Sequence, residues 1–163
     1  MTTRSLLVSA AALAVLAIGS SAATGSTEVA VKKQRIAIEG IFNLGTEKGT
    51  FKLIPLTPGP LKRDSGTFKG FGSFDPNVLV RNGQSVTLIT GRDDLTGKNG
   101  TFSVSQRVEL ISAGGVYGAN VGTWTFDRGT GVYEGLTGGG GFAGVLLPGS
   151  MLRFREEGFV RRG

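Results

Sequence analysis

The sequence contains neither histidine nor cysteine among its 163 residues. The absence of cysteine excludes a disulfide framework and a thiol nucleophile. The absence of histidine excludes a Ser-His-Asp arrangement and removes the commonest general base and the commonest metal ligand. Any catalysis would therefore use carboxylates, tyrosine, lysine or binding geometry alone, and we expect no cofactor and no metal site.

Acidic residues are also scarce, with 12 Asp and Glu against 18 Lys and Arg and a formal net charge of +6. A nucleic-acid surface would need basic clusters joined with stacking aromatic side chains on one face. Solubility or contact with an anionic cell surface requires much less, so we expect no nucleic-acid partner. The basic residues cluster at Lys32, Lys33 and Arg35, at Lys62 and Arg63, and at Arg153, Arg155, Arg161 and Arg162.

The N-terminal residues are typical of a secretory signal peptide. Arg4 precedes an almost unbroken apolar run, Leu6 to Ile18, which is shorter than the roughly 18 to 20 residues that a membrane span needs. Small residues then allow cleavage after Ala22 or Ala23.

These features predict a signal peptide at residues 1–23, a flexible lead at 24–34 and one domain at 35–163. We expect the protein to be secreted, extracellular or in the cell envelope. After cleavage of the signal peptide no membrane span is expected.

From Arg35 onward, Gly, Pro, Asn and Asp interrupt the chain about every 8 to 12 residues, which is typical of an all-β sandwich or barrel. The segments between them are short and rich in Val, Ile, Thr and Phe. The candidate strands are Arg35–Asn43, Gly49–Pro55, Gly66–Phe74, Gln84–Arg92, Gly100–Ser112, Tyr117–Asp127, Val132–Leu136, Gly141–Leu147 and Leu152–Val160.

Strand alternation is clearest in the fifth of these segments, which predicts one buried and one solvated face. Its buried face would carry Phe102, Val104, Gln106, Val108 and Leu110. We interpret Gly91–Gly100, with Asp93 and Asp94, as the loop of a long hairpin. Leu56–Ser65 is predicted to be a loop made rigid by its prolines.

The glycine-rich stretch Gly122–Gly144 matches none of the common glycine-based ligand motifs. It lacks the spacing and the following helix of a dinucleotide-binding turn, the Gly-Lys-Ser/Thr of a phosphate loop, and the regular Asp of calcium-binding repeats. Its glycines instead suit tight curvature and close backbone approach at a barrel corner.

The second half of the chain, from about Gly97 to Val160, carries a series of glycine and aromatic motifs: Gly129, Gly131, Tyr133, Gly135 and Gly138, followed by Phe154, Glu157, Gly158 and Phe159. This order of motifs resembles the allene oxide cyclase and dirigent barrel superfamily. The resemblance implies an eight-stranded antiparallel barrel with a central cavity, commonly trimeric. It also implies binding of small apolar or phenolic molecules, whose cyclisation or coupling the plant members steer.

Two glutamates are candidates for the cavity of such a barrel. In the plant cyclases an acidic residue on the first strand helps ring closure, which points to Glu39. Strand alternation, however, places Glu39 on the face opposite the buried Ile36 and Ile38. This placement favours a carboxylate that lies in solvent or at a subunit interface. Glu156 shares a face with Leu152, Phe154 and Val160. If that face points inward, desolvation would raise its pKa and make it a proton donor or ligand anchor; an ion pair with an arginine is the alternative.

Aromatic residues complete the candidate site. They could line the cavity or simply form the barrel core. Asp93 and Asp94 are expected to lie in a turn with their side chains in solvent, rather than to bind a metal ion. The aromatic candidates are Phe154, Trp124, Phe126, Tyr133 and Phe142.

The sequence thus predicts a single antiparallel eight-stranded β-barrel, with a β-sandwich as the alternative fold. We expect a non-catalytic module that binds a small hydrophobic or phenolic molecule; the alternative is a cofactor-independent isomerase or cyclase, or a dirigent-type protein. A homo-oligomer, a trimer if the resemblance holds, is expected through apolar residues on the outer faces of the first and last strands. These residues are Ala37, Ile41, Met151 and Phe159.

Overall fold

The computed structural model describes residues 32–75, 79–81, 83–112 and 118–163. The predicted signal peptide and residues 24–31 of the predicted lead lie outside them. Within the described residues the chain forms nine strands and one short 3-10 turn. The strands are β1 (Gln34–Asn43), β2 (Lys48–Pro55), β3 (Asp64–Phe74), β4 (Leu79–Arg81), β5 (Gln84–Gly97), β6 (Thr101–Ser112), β7 (Gly118–Gly129), β8 (Leu136–Leu147) and β9 (Met151–Arg162).

Eight of the strands close into an antiparallel barrel. Their order around the ring is β3-β2-β1-β9-β8-β7-β6-β5, and pairing of β3 with β5 closes it. The first and last strands pair from Gln34 with Val160 to Asn43 with Met151. The prediction of a closed barrel is therefore confirmed over the β-sandwich. The short β4 pairs with β5 and stands outside the ring.

The two-residue alternation of each strand determines what fills the barrel. On β6 the predicted inward face is confirmed, because Phe102, Val104 and Val108 are almost fully buried. Ile36 and Ile38 of β1 and Phe154 of β9 point into the same core. No helix within the described residues is long and apolar enough to cross a membrane.

One end of the barrel is closed by side chains that hold its loops. Asp64, at the start of β3, accepts hydrogen bonds from the backbone N–H groups of Ser65 (2.7 Å), Lys98 (3.0 Å) and Asn99 (3.1 Å). It also accepts a 2.6 Å hydrogen bond from the buried hydroxyl of Tyr133. These contacts fasten the β5–β6 turn and the 3-10 turn across the end of the barrel.

The proline-containing loop covers the same end. The Nε2 of Gln34 donates to the carbonyl oxygens of Thr57 (3.1 Å) and Leu61 (3.0 Å), and its Oε1 accepts from the N–H of Leu61 (2.9 Å). Gln34 and Leu61 are both almost completely buried. Since the buried amide is fully bonded, its burial does not leave an unsatisfied polar group.

Two local predictions were wrong. Gly91–Gly100 is not a loop, because β5 continues to Gly97, and Asp93 is paired there with Val104 on one side and Gly70 on the other. Val132–Leu136 is not a strand: Gly131–Tyr133 forms the 3-10 turn. Gly131 (φ 60°), which begins this turn, and Gly135 (φ 69°), which follows it, have a left-handed conformation that side chains disfavour.

Candidate functional site

A cavity of about 150 Å³ opens at the end of the barrel opposite Tyr133. Its mouth is formed by exposed side chains, among them Leu44, Phe71 and Phe74. Deeper in, the wall is apolar and aromatic. The inner apolar side chains are Phe42, Phe68, Ile89, Val108, Phe142, Leu152 and Phe154.

The inner end of the cavity is polar. Gln106 of β6 and Asp93 of β5 both line it. The Nε2 of Gln106 donates one hydrogen bond to Oδ2 of Asp93 (2.9 Å) and another to Oε1 of Glu156 on β9 (2.6 Å). One amide group thus joins two carboxyl groups that reach the barrel interior from different strands.

Burial shifts the titration of both carboxyl groups. Desolvation raises the pKa of Asp93 to about 7, although the hydrogen bond from Gln106 opposes the shift. Desolvation, with a smaller effect of the neighbouring Asp93, raises the pKa of Glu156 to about 8. Both shifts favour the protonated, uncharged forms of the two groups.

Three buried side-chain atoms near this polar cluster have no hydrogen-bond partner among the described residues. They are Oδ1 of Asn120, Nε1 of Trp124 and Oε2 of Glu156. Asn120 is 5% exposed and lines the cavity. Since buried polar atoms are nearly always bonded to protein, water or ligand, Oδ1 of Asn120 marks a place in the cavity where a polar group can bind.

The predicted aromatic residues separate into two groups. Phe142 and Phe154 line the cavity and stack on each other, with ring centroids 5.5 Å apart. Trp124, Phe126 and Tyr133 are instead packed in the barrel core, where Phe102 contacts the rings of both Phe126 and Tyr133.

The two predicted glutamates also separate. Glu156 lies inside the barrel at 1% exposure, and its partner is Gln106 rather than an arginine. Glu39 lies on the outer surface and forms an ion pair with Arg155, which also binds Glu157. Glu39 therefore does not belong to the cavity, because strand alternation turns it away from the inward-facing Ile38.

Sequence reasoning missed three residues of the site: Asp93, Gln106 and Asn120. Gln106 was detectable, since it is the one polar residue on the predicted buried face of β6. Asp93 was assigned to a loop. Nothing in the sequence pattern distinguished Asn120, which lies on the inward face of β7 with Trp124.

Asp93 and Asp94 point to opposite faces of β5. Asp93 is buried in the barrel, whereas Asp94 accepts hydrogen bonds from Arg92 (2.8 Å) and Ser103 (2.7 Å) on the outside. In the described part of the chain, no group of three or more Asp, Glu, His or Cys residues is arranged to hold a metal ion.

Comparisons with protein-family models, with curated proteins and with solved structures find no match to this chain.

A second concavity, of about 990 Å³, lies on the outer surface. Exposed apolar residues of β1, β7 and β8 line it, namely Ile41, Val121 and Val145. Of the four residues predicted for a subunit interface, Ile41 and Phe159 are exposed and Met151 is half-buried. Ala37 is completely buried and cannot contribute to such a surface.

Proposed function

We propose that the barrel is a binding module for a small hydrophobic or phenolic molecule, which it holds in the cavity at its open end. The observation that carries the proposal is the combination of an aromatic wall with polar atoms at the inner end. Sites of this kind are mostly apolar and use a few polar groups to orient the ligand.

The volume of the cavity limits the size of the ligand. A cavity of about 150 Å³ lined by Leu, Ile and Phe is large enough for benzene, and this cavity has about the same volume. A molecule with a single ring fits, whereas a fused-ring molecule would need the wall to move.

A phenol suits the distribution of groups along the cavity. Its ring would pack against Phe142 and Phe154, and its hydroxyl would donate a hydrogen bond to Oδ1 of Asn120 or to the carboxyl of Asp93. The unpartnered acceptor of Asn120 would then be satisfied.

Filling the cavity tests the proposal. Gly72 lines the cavity, and a Cβ there would lie 3.6 Å from its nearest neighbour, an ordinary contact, so Gly72→Leu should fold and occupy the ligand's space. We expect p-cresol and toluene to shift the amide NMR signals of Gly91 and Val108 saturably in the wild type. The Gly72→Leu variant should weaken this binding at least tenfold.

The matched control is Gly141→Leu, the same change on the outer face of β8, where a Cβ would have no neighbour within 4 Å. This variant should bind both compounds as the wild type does. Equal binding by the wild type and Gly72→Leu would place the ligand outside the cavity and overturn the proposal.

Membership of the allene oxide cyclase and dirigent superfamily and export from the cell are part of the same proposal. The first is supported by the closed eight-stranded ring together with the motif around Tyr133. The second is supported by the apolar run Leu6 to Ile18 and the small residues after it.

A cofactor-independent isomerase is the second candidate, and Asp93 is the observation that favours it. A carboxyl group with a pKa of about 7 in the wall of an apolar cavity can take and return a proton at neutral pH. Incorporation of solvent deuterium into a ring-sized unsaturated ketone, catalysed by the wild type and lost in Asp93→Asn, would favour this candidate over simple binding.

A further inference from the structure

The charge of the cavity is opposite to that of the protein. The chain has a formal net charge of +6, yet no Lys or Arg is among the described residues that line the cavity. The charged residues there are acidic, with Glu47 at the mouth and Asp93 at the inner end. Glu156 shares the amide of Gln106 with Asp93.

When the two carboxyl groups are ionised, the polar atoms at the inner end are mainly acceptors. Both N–H donors of the Gln106 amide are already used by the two carboxyl groups. Oδ1 of Asn120 and Oε2 of Glu156 remain unpartnered, and both residues are more than nine-tenths buried. A ligand group that donates hydrogen bonds would satisfy Oδ1 of Asn120 and an ionised Glu156, whereas a group that only accepts would leave Oδ1 of Asn120 unsatisfied.

The aromatic wall also favours a positive charge. The stacked rings of Phe142 and Phe154 line the cavity, and the ring of Phe68 meets that of Phe154 edge to face at 5.7 Å. Aromatic faces attract ammonium groups, and the attraction is stronger where water is excluded.

We propose that the polar group of the ligand is a protonated amine, so that the barrel selects small arylalkyl ammonium ions over neutral or anionic molecules of the same shape. The inference rests on the proposed function and specifies its ligand class. The ammonium group would donate to the carboxyl group of Asp93 and to Oδ1 of Asn120, and would supply the positive charge that the barrel interior lacks.

This mode of binding makes the affinity depend on pH. The titratable groups that line the cavity are Asp93 and Glu47, and Glu156 is joined to Asp93 through the amide of Gln106. An ammonium ion favours the ionised forms of Asp93 and Glu156, whose pKa values burial raises to about 7 and about 8. Binding must therefore release protons at pH 7, and the affinity for the ammonium ion must increase from pH 6 to pH 8.

Four ligands that share a benzene ring with one attached carbon, and differ in the polar group on that carbon, test the inference by titration calorimetry on the full chain: benzylamine, benzyl alcohol, toluene and benzoate. At pH 8, below the pKa of an alkyl amine at about 10, we expect benzylammonium to bind at least tenfold more tightly than benzyl alcohol, and benzoate to bind most weakly. Repeating the titration in two buffers of different ionisation enthalpy should show proton release for benzylammonium and none for benzyl alcohol.

The Asp93→Asn variant removes one charge with little change of shape. It should lose most of the preference for benzylammonium over benzyl alcohol while still binding toluene. The matched control is Asp127→Asn, which changes an exposed aspartate on the outer face that accepts a 2.7 Å hydrogen bond from Ser105. This variant should leave the preference for benzylammonium unchanged. The wild-type pH series tests the inference independently if Asp93→Asn fails to fold.

The outcomes separate the two proposals. If none of the four ligands binds, the proposed function fails and this inference fails with it. Suppose instead that toluene and benzyl alcohol bind. The inference alone is then overturned if benzylammonium binds no more tightly at pH 8 than at pH 6, or no more tightly than benzyl alcohol.

Discussion

Glu156 places a carboxyl group inside an apolar barrel, where its only described hydrogen bond is donated by a neutral amide. In the unfolded chain Glu and Asp titrate near pH 4, but in the folded barrel the pKa values of Asp93 and Glu156 are raised to about 7 and about 8. Between about pH 4 and pH 8 the folded state therefore holds protons that the unfolded state has lost. The free energy of unfolding should fall as the pH rises through this range.

Glu156→Gln should remove about half of this dependence, because Asp93 contributes the rest. Each pKa unit corresponds to about 1.4 kcal/mol, so we expect the variant to be more stable than the wild type at pH 8 by several kcal/mol, on the order of 2 to 4. At pH 5, where the wild-type carboxyl is already protonated, the two should be similar. Urea denaturation at both pH values measures the difference.

The neighbouring Glu157 provides the control. It is on the outer face, and hydrogen bonds from Arg155 and Arg35 lower its pKa. The stability that it contributes is present above the unfolded pKa and is lost only in more acidic solution. Glu157→Gln should therefore change the free energy of unfolding equally at pH 5 and pH 8. If Glu156→Gln also had equal effects at the two pH values, the raised pKa of the buried Glu156 carboxyl would be contradicted.

These residues also show what a sequence pattern can predict about a site. Alternation along β9 identified the face that Glu156 shares with Phe154, and alternation along β6 placed Gln106 on the buried face. The hydrogen bond between them spans 50 residues of sequence and joins strands that are not neighbours in the sheet. Such a contact depends on closure of the whole ring, which no local pattern encodes.

At the scale of elements, β8 contains the four consecutive glycines of the chain, Gly138–Gly141. A Cβ at Gly140 would lie 2.0 Å from the carbonyl oxygen of Glu157, and one at Gly138, where φ is 153°, would lie 2.1 Å from that of Phe159. Glycine is needed at both positions because the backbone of β9 passes too close for a side chain.

Two adjacent substitutions test this explanation. Gly140→Ala should destabilise the barrel by about 1 to 3 kcal/mol, since the methyl group meets backbone that cannot rotate away. Gly141→Ala has open space around its Cβ and should be neutral or stabilise by up to about 1 kcal/mol, because alanine restricts the unfolded chain. The measurement is the difference in urea midpoint, and equal effects at the two positions would refute the close-approach argument.

The errors in element assignment have physical causes. Gly91, Asp93 and Asp94 belong to residue types that favour turns, but pairing with β3 and β6 on both sides keeps them in β5. Val132 and Tyr133 have residue types that favour strands, yet the left-handed Gly131 turns the chain, and Tyr133 is held across the barrel end by Asp64. In both places tertiary contacts outweigh local preference.

At the scale of the whole molecule, a closed barrel has one interior, so apolar residues on the outer face must meet solvent or a partner. Ile41 and Phe159 are 47% and 52% exposed, and Ile41 joins Val121 and Val145 in the outer concavity. Glu39 and Arg155 lie at the same concavity and are of opposite charge. Such a surface could pair with a second copy of itself.

We therefore expect the protein to form a homo-oligomer, a trimer if the superfamily resemblance holds, through the outer face around β1. Light scattering at micromolar concentration should give a mass of at least two chains, and Ile41→Lys should shift the equilibrium toward the single chain because it places a charge in an apolar contact. The control is Val80→Lys on β4, which is 71% exposed but stands outside the ring. A wild-type mass of one chain that does not change on further concentration would show that the exposed residues of β1 and β9 are ordinary monomer surface.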